Sequence, residues 1–156
     1  DTAVGRCIRS CRAFSGVRYT VLATSTEPED GELQGEADRA GVLFHRGHPV
    51  NVVQRYLDVI ERLGIDVVLR VTADNLFMTR EIQELVMQEH LRTGADYTTA
   101  RDAAVGTNVE VIQASALRRI AEHFPEARHA EYMTYYFIQN PDHFHLHTVD
   151  LPPQLV

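Results

Sequence analysis

One run of residues, Val67 to Asn75 (VVLRVTADN), constrains the fold more than any other part of the chain. Apolar and β-branched residues dominate its first five positions, and a polar tip carrying one carboxylate, Asp74, follows them. A continuous run of this kind is typical of a parallel strand that is covered on both faces. We therefore predict an interior strand over Val67–Val71, flanked by parallel neighbours. Ligands of open α/β sheets bind at the carboxyl ends of strands, so Asp74 and Asn75 mark a candidate site. An aspartate here can also simply cap the following turn.

The composition of the chain fits one domain over residues 1–156 and excludes several classes of function. A formal net charge of −7 argues against a general nucleic-acid binder, which would usually be basic. No apolar run approaches the ~20 residues that span a bilayer, and the N-terminus shows no signal-peptide pattern. All 15 basic residues are Arg, so phosphate contacts must come from Arg, backbone N–H groups or a metal. Cys7 and Cys11 form no zinc pattern, and a reduced, cytoplasmic setting is the default expectation.

The spacing of apolar residues predicts the element order α-β-α-β-α-β-α-β-β-α-α-β. Such alternation is typical of a layered α/β fold with a mostly parallel sheet. Two consecutive strands near residues 95–112 indicate one antiparallel element. We expect helices over residues 4–16, from Glu27 to Gly41, over residues 50–63, from about Thr79 to Gly94, from a Ser115 cap to Phe124, and over residues 130–139.

Polar side chains at three predicted strand ends form the main candidate constellation. They are Thr24 and Ser25 after one strand, Arg70 to Asn75 around another, and Asn108 with Glu110 on one face of a third. A carboxylate at one strand end and a polar pair on another could jointly hold Mg²⁺, which prefers oxygen ligands and keeps waters and substrate phosphates. This spacing alone is a weak signal.

A second constellation is the alternating run from His143 to His147. Three imidazoles on one strand face could bind a metal, but we favour the interpretation in which Phe144 and Leu146 face the core and the histidines face outward. The chain contains no G-x-G-x-x-G, no P-loop and no G-x-S-x-G.

Several segments, taken in order, resemble the spore-coat-polysaccharide type of cytidylyltransferase. Residues 70–75, RVTADN, resemble that family's R-I/V-T-G-D-N-P, and residues 106–111, GTNVEV, resemble its G-L-D-V-E-V. Glu131 and Thr134, before Asn140-Pro141, are similar to its E-H-V-T and N-P segments. Further matches lie in residues 20–30, 44–47 and 51–56, so the resemblance covers nearly the whole chain.

The resemblance implies a three-layer, Rossmann-like nucleotide-diphospho-sugar transferase fold. It also implies transfer of CMP from CTP to a sugar or acid-sugar acceptor, with Mg²⁺ as cofactor, in cell-surface glycan biosynthesis. Since the wider family often dimerises, the resemblance allows a homodimer. The residue roles that it implies are Asp74 and Asn108 for the metal, Asp74 and Arg70 for catalysis, Asn75 and Glu110 for the acceptor, and Thr24 and Ser25 for the nucleotide.

The sequence also departs from the family pattern. The family's Gly-rich opening, A-R-x-G-S-T-R-L-P-G-K, is expected before Val4 and its D-T-P-E-D segment after Val156, so we expect domain 1–156 to be incomplete at both ends. Without the Gly-rich segment, which cradles the triphosphate, residues 1–156 alone are expected to have little transferase activity. The differences from the family residues include Asn51 and Asn108 in place of Asp, Ala73 in place of Gly, and Leu76 in place of Pro.

Two other functions are compatible with the sequence. A non-catalytic domain derived from this family would bind a nucleotide, a sugar or a partner protein. A receiver-like phosphoacceptor domain around Asp74 is less favoured, because it would need an acidic cluster after the first strand and a Lys late in the chain.

Overall fold

The structure is a computed structural model and describes residues 2–124 and 133–155. The described residues follow the predicted element order throughout. The helices are Ala3–Arg12 (α1), Gln34–Ala40 (α2), Val52–Leu63 (α3), Arg80–Thr93 (α4), Ala114–His123 (α5) and Met133–Gln139 (α6). The strands are Val21–Ser25 (β1), Leu43–Gly47 (β2), Val67–Arg70 (β3), Tyr97–Arg101 (β4), Glu110–Gln113 (β5) and Leu146–Asp150 (β6).

Local sequence signals set the ends of several helices. Asn51 caps α3 by accepting a hydrogen bond from the Gln54 amide, and Thr79 caps α4 in the same way through the Ile82 amide. At the other end of α3, Gly64 adopts a left-handed conformation that a residue with a Cβ would resist. The chain therefore leaves α3 sharply and enters β3 within three residues.

The strands form two sheets, one parallel and one mixed, rather than one mostly parallel sheet. β1 and β2 pair in parallel, and the other four strands have the order β3-β5-β4-β6. In this second sheet β5 is antiparallel to both β3 and β4, whereas β4 and β6 are parallel. The predicted antiparallel element near residues 95–112 is therefore confirmed as the β4–β5 pair.

Helices cover both faces of the four-stranded sheet, which gives the three layers that the sequence predicted. On one face, side chains of α3, α5 and α6 pack with Tyr97, Ile112 and Phe144 in one buried cluster. On the other face, side chains of α1 and α4 pack with Ala100, Val111 and Val149 in a second cluster. Both clusters contain fully buried aliphatic residues, so the sheet is the middle layer of the fold.

The prediction that Val67–Val71 is an interior strand with parallel neighbours is wrong. Among the described strands β3 pairs only with β5, in antiparallel register, and its four residues are only half-buried. Both of its faces are nevertheless covered, since Val67 and Leu69 contact one cluster and Val68 the other. The apolar pattern reports that coverage of the faces, and it carries no information about which strands occupy the two hydrogen-bonding edges.

Smaller findings concern helix starts, the histidine run and membrane-spanning segments. Ser115 lies inside α5 and does not cap it, because the helix begins at Ala114 without a side-chain cap. The acidic run after β1 opens a 3-10 helix, Pro28–Leu33, before α2 begins. Phe144 is buried, Leu146 packs against the same cluster, and His143 and His145 are exposed, as predicted. His147 differs from the prediction, because it is only half-buried and its Nε2 lies 3.2 Å from Glu89 Oε2 on α4. Within the part of the chain that is described, no helix has the length and apolarity needed to cross a membrane.

Candidate active site

The turn that follows β3 presents Asp74 to solvent. The Asn75 amide donates to the Thr72 carbonyl over 3.0 Å, which closes the turn, and Asp74 is exposed at its tip. A hydrogen bond from the Thr72 side chain lowers the pKa of Asp74, aided by a backbone hydrogen bond and by the charge of Arg70. Asp74 is therefore reachable from solvent, and its side chain is an anion at neutral pH.

Asn75 and Asn108 lie side by side next to this turn. Asn75 Nδ2 donates to the Asn108 backbone carbonyl over 3.2 Å, and so ties the turn to the strand segment before β5. The Asn108 side chain itself faces β4, where Nδ2 donates to Thr99 Oγ1 over 2.8 Å and Oδ1 accepts from the Ala100 amide over 3.4 Å. The structure thus brings two predicted site residues together, but the amide group of Asn108 is already used within the sheet.

Arg70 and Glu110, which were predicted to have separate roles, form an ion pair. They stand opposite each other in the β3–β5 register, and Arg70 Nη1 donates to Glu110 Oε2. The Tyr97 hydroxyl donates to the other carboxylate oxygen over 2.5 Å. The two charged side chains are only 14% and 17% exposed. Burial opposes the charge on Arg70, yet the Glu110 carboxylate outweighs it and raises the pKa of Arg70.

The end of β1 is organised around a residue that the sequence interpretation missed as a site element, Asp30. Its Oδ2 accepts hydrogen bonds from Thr24 Oγ1 at 2.7 Å, Ser25 Oγ at 2.5 Å and the Ser25 amide at 3.0 Å. These bonds, the Ser25 hydroxyl first, lower the pKa of Asp30. Arg46 closes the same loop by donating to the carbonyls of Ser25, Thr26 and Glu27. Both predicted nucleotide-side hydroxyls are therefore engaged inside the protein.

The two strand ends remain separate in the hydrogen bonds that the structure describes. Those of Thr24 and Ser25 stay within residues 24–30 and Arg46, whereas those of the Asp74 turn lead to Asn108 and β4. The signal that could have identified Asp30 was present in the sequence, since it is an Asp five residues after a strand-end Ser. The interpretation of residues 27–30 as a helix start concealed it.

The oxygen ligands around Asp74 suit a cation that a bound substrate also coordinates. Across residues 2–124 and 133–155, no group of three or more His, Cys, Asp or Glu side chains is placed to hold a metal ion. A single exposed, ionised carboxylate is nevertheless a common protein contribution to Mg²⁺ sites, in which phosphate oxygens and waters fill most positions. Asp74 fits that role directly. The Asn108 side chain points toward β4 instead, where its Oδ1 accepts from the Ala100 amide over 3.4 Å.

Comparison with known proteins identifies the family. The sequence pattern of the family described as cytidylyltransferase matches residues 3–151, nearly the whole chain. The chain belongs to the cytidylyltransferase family. The spore coat polysaccharide biosynthesis protein SpsF of Bacillus subtilis is 30% identical over 133 residues, which is 85% of this chain and 55% of that protein. The resemblance seen in the sequence is therefore confirmed.

Two solved structures show the same cytidylyltransferase-type fold. A cytidylyltransferase from Leptospira borgpetersenii serovar Hardjo-bovis superposes with a TM-score of 0.89 at 22% identity, over 96% of this chain and 65% of that one. A CMP:2-keto-3-deoxy-manno-octonic acid synthetase complexed with CTP superposes with a TM-score of 0.69 at 11% identity, over 96% and 78% respectively. The α/β, Rossmann-like fold class is thus confirmed. The chain spans about half the length of the curated relatives that it matches.

The roles assigned to individual residues stay predictions. Asp74, Arg70, Asn75, Asn108 and Glu110 occupy neighbouring strand ends, as expected for a shared site. Thr24 and Ser25 lie at the end of β1, in the other sheet. Glu131, which was part of the family resemblance, lies outside the described residues.

Proposed function

We propose that this chain is the core of a CTP-dependent cytidylyltransferase that transfers CMP to a sugar acceptor in cell-surface glycan biosynthesis. One observation carries the proposal in this family member: an ionised carboxylate, Asp74, stands exposed at the carboxyl end of a strand where the fold class binds ligands. The name of the Bacillus subtilis relative supports a role in polysaccharide synthesis, and the CTP-bound synthetase structure supports CTP as the donor. The proposed setting is the cytoplasm.

In the proposed reaction an acceptor oxygen attacks the α-phosphorus of CTP and pyrophosphate leaves. The protein supplies no nucleophile for this displacement. It must align the two substrates and stabilise the negative charge that develops on the phosphate oxygens. Mg²⁺, when bound, would supply positive charge to those oxygens.

Each predicted site residue has a distinct part in this proposal. Asp74 would provide the carboxylate that holds the cation. Asn75 fixes the turn through its bond to the Asn108 carbonyl, and Asn108 adds a ligand only through a rearranged side chain or a water. Arg70 and Glu110 act as a neutral pair beneath the acceptor side, which keeps the β3–β5 edge in place. The hydroxyls of Thr24 and Ser25 donate to Asp30. These two residues would therefore contact the nucleotide through the loop to which they belong rather than through their hydroxyls.

The test is a pyrophosphate-release assay on the protein encoded by the complete gene, with CTP, Mg²⁺ and a panel of sugars and sugar acids. We expect Asp74→Asn to lower Mg²⁺-dependent turnover by ~10²–10³, by analogy with the loss of one preorganised charge-stabilising contact. The matched control is Asp102→Asn, which makes the same chemical change at an exposed position on a neighbouring loop. Asp102 has a positive φ of 54° that Asn also tolerates, so the control should keep its activity.

A second measurement separates loss of metal binding from loss of fold. Isothermal titration of Mg²⁺ in the presence of a non-hydrolysable CTP analogue should show weaker binding for Asp74→Asn, while its urea unfolding midpoint stays at the wild-type value. Wild-type turnover equal to that of Asp74→Asn across the whole panel would contradict the enzyme. It would favour instead the non-catalytic, nucleotide- or sugar-binding domain.

A further inference from the structure

Two histidines that are distant in sequence meet at the end of the sheet opposite to Asp74. His123 is the last residue of α5, and His143 lies in the loop just before β6. Their ring centroids are 5.9 Å apart, the ring planes are tilted by 52°, and both residues are exposed. β3 and β6 run in the same direction, because β5 is antiparallel to β3 and β4 and β4 is parallel to β6. The amino end of β6 and the carboxyl end of β3 are therefore opposite ends of the sheet.

The hydrogen bond of the His123 ring determines which of its nitrogens can bind a metal. Nδ1 lies 2.8 Å from the backbone carbonyl of Arg119. A carbonyl oxygen only accepts hydrogen bonds, so Nδ1 carries the proton and, in the neutral ring, Nε2 presents its lone pair. Metal-binding histidines commonly have this arrangement, in which the other ring N–H donates to a backbone carbonyl and fixes the orientation of the ring. His123 is thus prepared to bind a cation through Nε2.

The space and the distance between the two rings suit a metal ion. Both rings line a small cavity of about 80 Å³, together with Arg119, Phe124 and Phe144. A cavity of this size holds an ion and waters, since one water needs only ~10–15 Å³. Two imidazoles that share a tetrahedral Zn²⁺ have ring centroids roughly 5–6 Å apart, because each Zn–N bond is ~2.0–2.1 Å long. The observed separation of 5.9 Å falls in that range.

The positive charge of Arg119 is already compensated beside this cavity. Its Nη2 pairs with Asp96 Oδ1 at 2.6 Å, and its guanidinium carbon lies 5.3 Å from the centroid of the Phe144 ring. Among the described residues the His143 ring contacts His123 and has no hydrogen-bond partner, so either of its nitrogens can turn toward an ion. A cation in the cavity would therefore face two imidazoles and a neutralised arginine.

We propose that His123 and His143 form a binding site for a divalent transition-metal ion of the Zn²⁺, Ni²⁺ and Cu²⁺ class. Imidazole nitrogens suit these ions, whereas Mg²⁺ prefers oxygen ligands. Within residues 2–124 and 133–155 no third His, Cys, Asp or Glu completes the group, so water fills the remaining coordination positions. A bound ion joins the end of α5 to the loop before β6. The site is separate from Asp74 and does not depend on the proposed function.

The experiment measures Zn²⁺ binding to the complete, untagged protein by isothermal titration at neutral pH. His123→Ala and His143→Ala should each weaken binding by at least ~10-fold, the size of effect that loss of even an outer partner of a metal ligand has. The matched control is His145→Ala, which removes an exposed imidazole two residues from His143 and should bind like the wild type. Excess Mg²⁺ should not displace the ion, and Cu²⁺ should bind more tightly than Ni²⁺ or Zn²⁺.

Two further measurements test the ligands and the fold. The electron paramagnetic resonance spectrum of the Cu²⁺ complex should show two nitrogen ligands in the wild type and one in each histidine variant. Zn²⁺ should raise the urea unfolding midpoint of the wild type more than that of either variant, because it binds the folded chain. His143→Ala removes no hydrogen bond between described residues, so it decides the question if His123→Ala proves less stable without metal.

The contrary results are equally specific. Wild-type affinity for Zn²⁺ in His143→Ala would overturn the site. Loss of binding in His145→Ala, with His123→Ala unaffected, would assign the ion to the outer face of the histidine run. Loss of binding in Asp74→Asn or Cys11→Ser, with both histidine variants unaffected, would place the ion at the other end of the sheet. Each of these results contradicts the inference and leaves the proposed transferase untouched.

Discussion

The loops that follow β1 and β3 each carry an aspartate, and the two carboxylates are used in opposite ways. Asp30, after β1, receives three hydrogen bonds on one oxygen from residues five or six positions away. Asp74, after β3, is exposed, and among the described residues it is bonded only within its own turn. The pKa of each is lowered, so both are anions at neutral pH. The first holds a loop closed, whereas the second has oxygens free for a ligand.

The difference shows that a lowered carboxylate pKa alone does not identify a catalytic site. Hydrogen bonds to the charged form produce the shift in both loops, whether or not the carboxylate remains accessible. What distinguishes Asp74 is the combination of ionisation and exposure at the carboxyl end of a strand. The comparison therefore predicts that carboxylates whose oxygens are hydrogen-bonded within the protein contribute mainly to stability. Asp74 should contribute mainly to function.

The largest expected effect on stability belongs to a third carboxylate, Glu110, because both of its oxygens accept hydrogen bonds within the protein. Glu110→Ala removes the partner of a largely buried Arg70 and of the Tyr97 hydroxyl. Removing one member of a buried ion pair costs about 3–5 kcal/mol, and we expect a loss of that size in the free energy of unfolding. Urea unfolding of the variant should be compared with that of Glu61→Ala, an exposed position on α3. A variant as stable as this control would show that the pair is not structural and would return Glu110 to a purely acceptor-binding role.

Replacing each of the two aspartates in turn by alanine tests the comparison itself. Asp30→Ala leaves the hydroxyls of Thr24 and Ser25 without their shared acceptor, and should lower the free energy of unfolding by about 1–2 kcal/mol. Asp74→Ala removes an exposed side chain and should change it by no more than about 0.5 kcal/mol. Both values come from chemical unfolding of the complete protein. The opposite ranking would mean that the Asp74 turn supports the fold and that its exposure is incidental.

Sequence reasoning predicted the order of the elements because apolar periodicity reports which faces of a segment are buried. β3 illustrates both the strength and the limit of that signal. Its apolar run correctly indicated a strand covered on both faces, yet β3 has only an antiparallel neighbour among the described strands. Which strand occupies a hydrogen-bonding edge depends on the path of the whole chain, and periodicity within one segment does not contain it.

The same limit applies to the candidate site. Asp74 was identified because it directly follows a recognisable strand, which is a local relation. The Arg70–Glu110 pair was not foreseen, since it depends on the register of two strands that lie 40 residues apart in sequence. Asn108 was predicted as a metal ligand from its place in a family motif. The hydrogen bonds that turn its side chain toward Thr99 and Ala100 come from β4, which the motif does not include.

The smallest predicted effect is a difference in the acid dependence of stability between the two loops. A carboxyl group whose folded-state pKa is depressed adds stability at pH values above its unfolded pKa, ~3.9 for Asp, and that stability is lost as the pH falls through the folded value. Asp30→Asn should therefore differ most from the wild type at neutral pH, and the difference should shrink below about pH 4.

Asp74→Asn should reduce the dependence of stability on acidic pH less than Asp30→Asn does. The bond from the Thr72 side chain joins residues two positions apart and can also form in the unfolded chain, so folding changes the pKa of Asp74 less than that of Asp30. The contacts of Asp30, in contrast, require the folded end of β1. Urea unfolding of the wild type and both Asn variants at pH 7, 4 and 3 measures the two slopes. A larger reduction of the pH dependence in Asp74→Asn would show that residues beyond its own turn bind the Asp74 carboxylate. The contrast between an exposed Asp74 and an internally hydrogen-bonded Asp30 would then no longer hold.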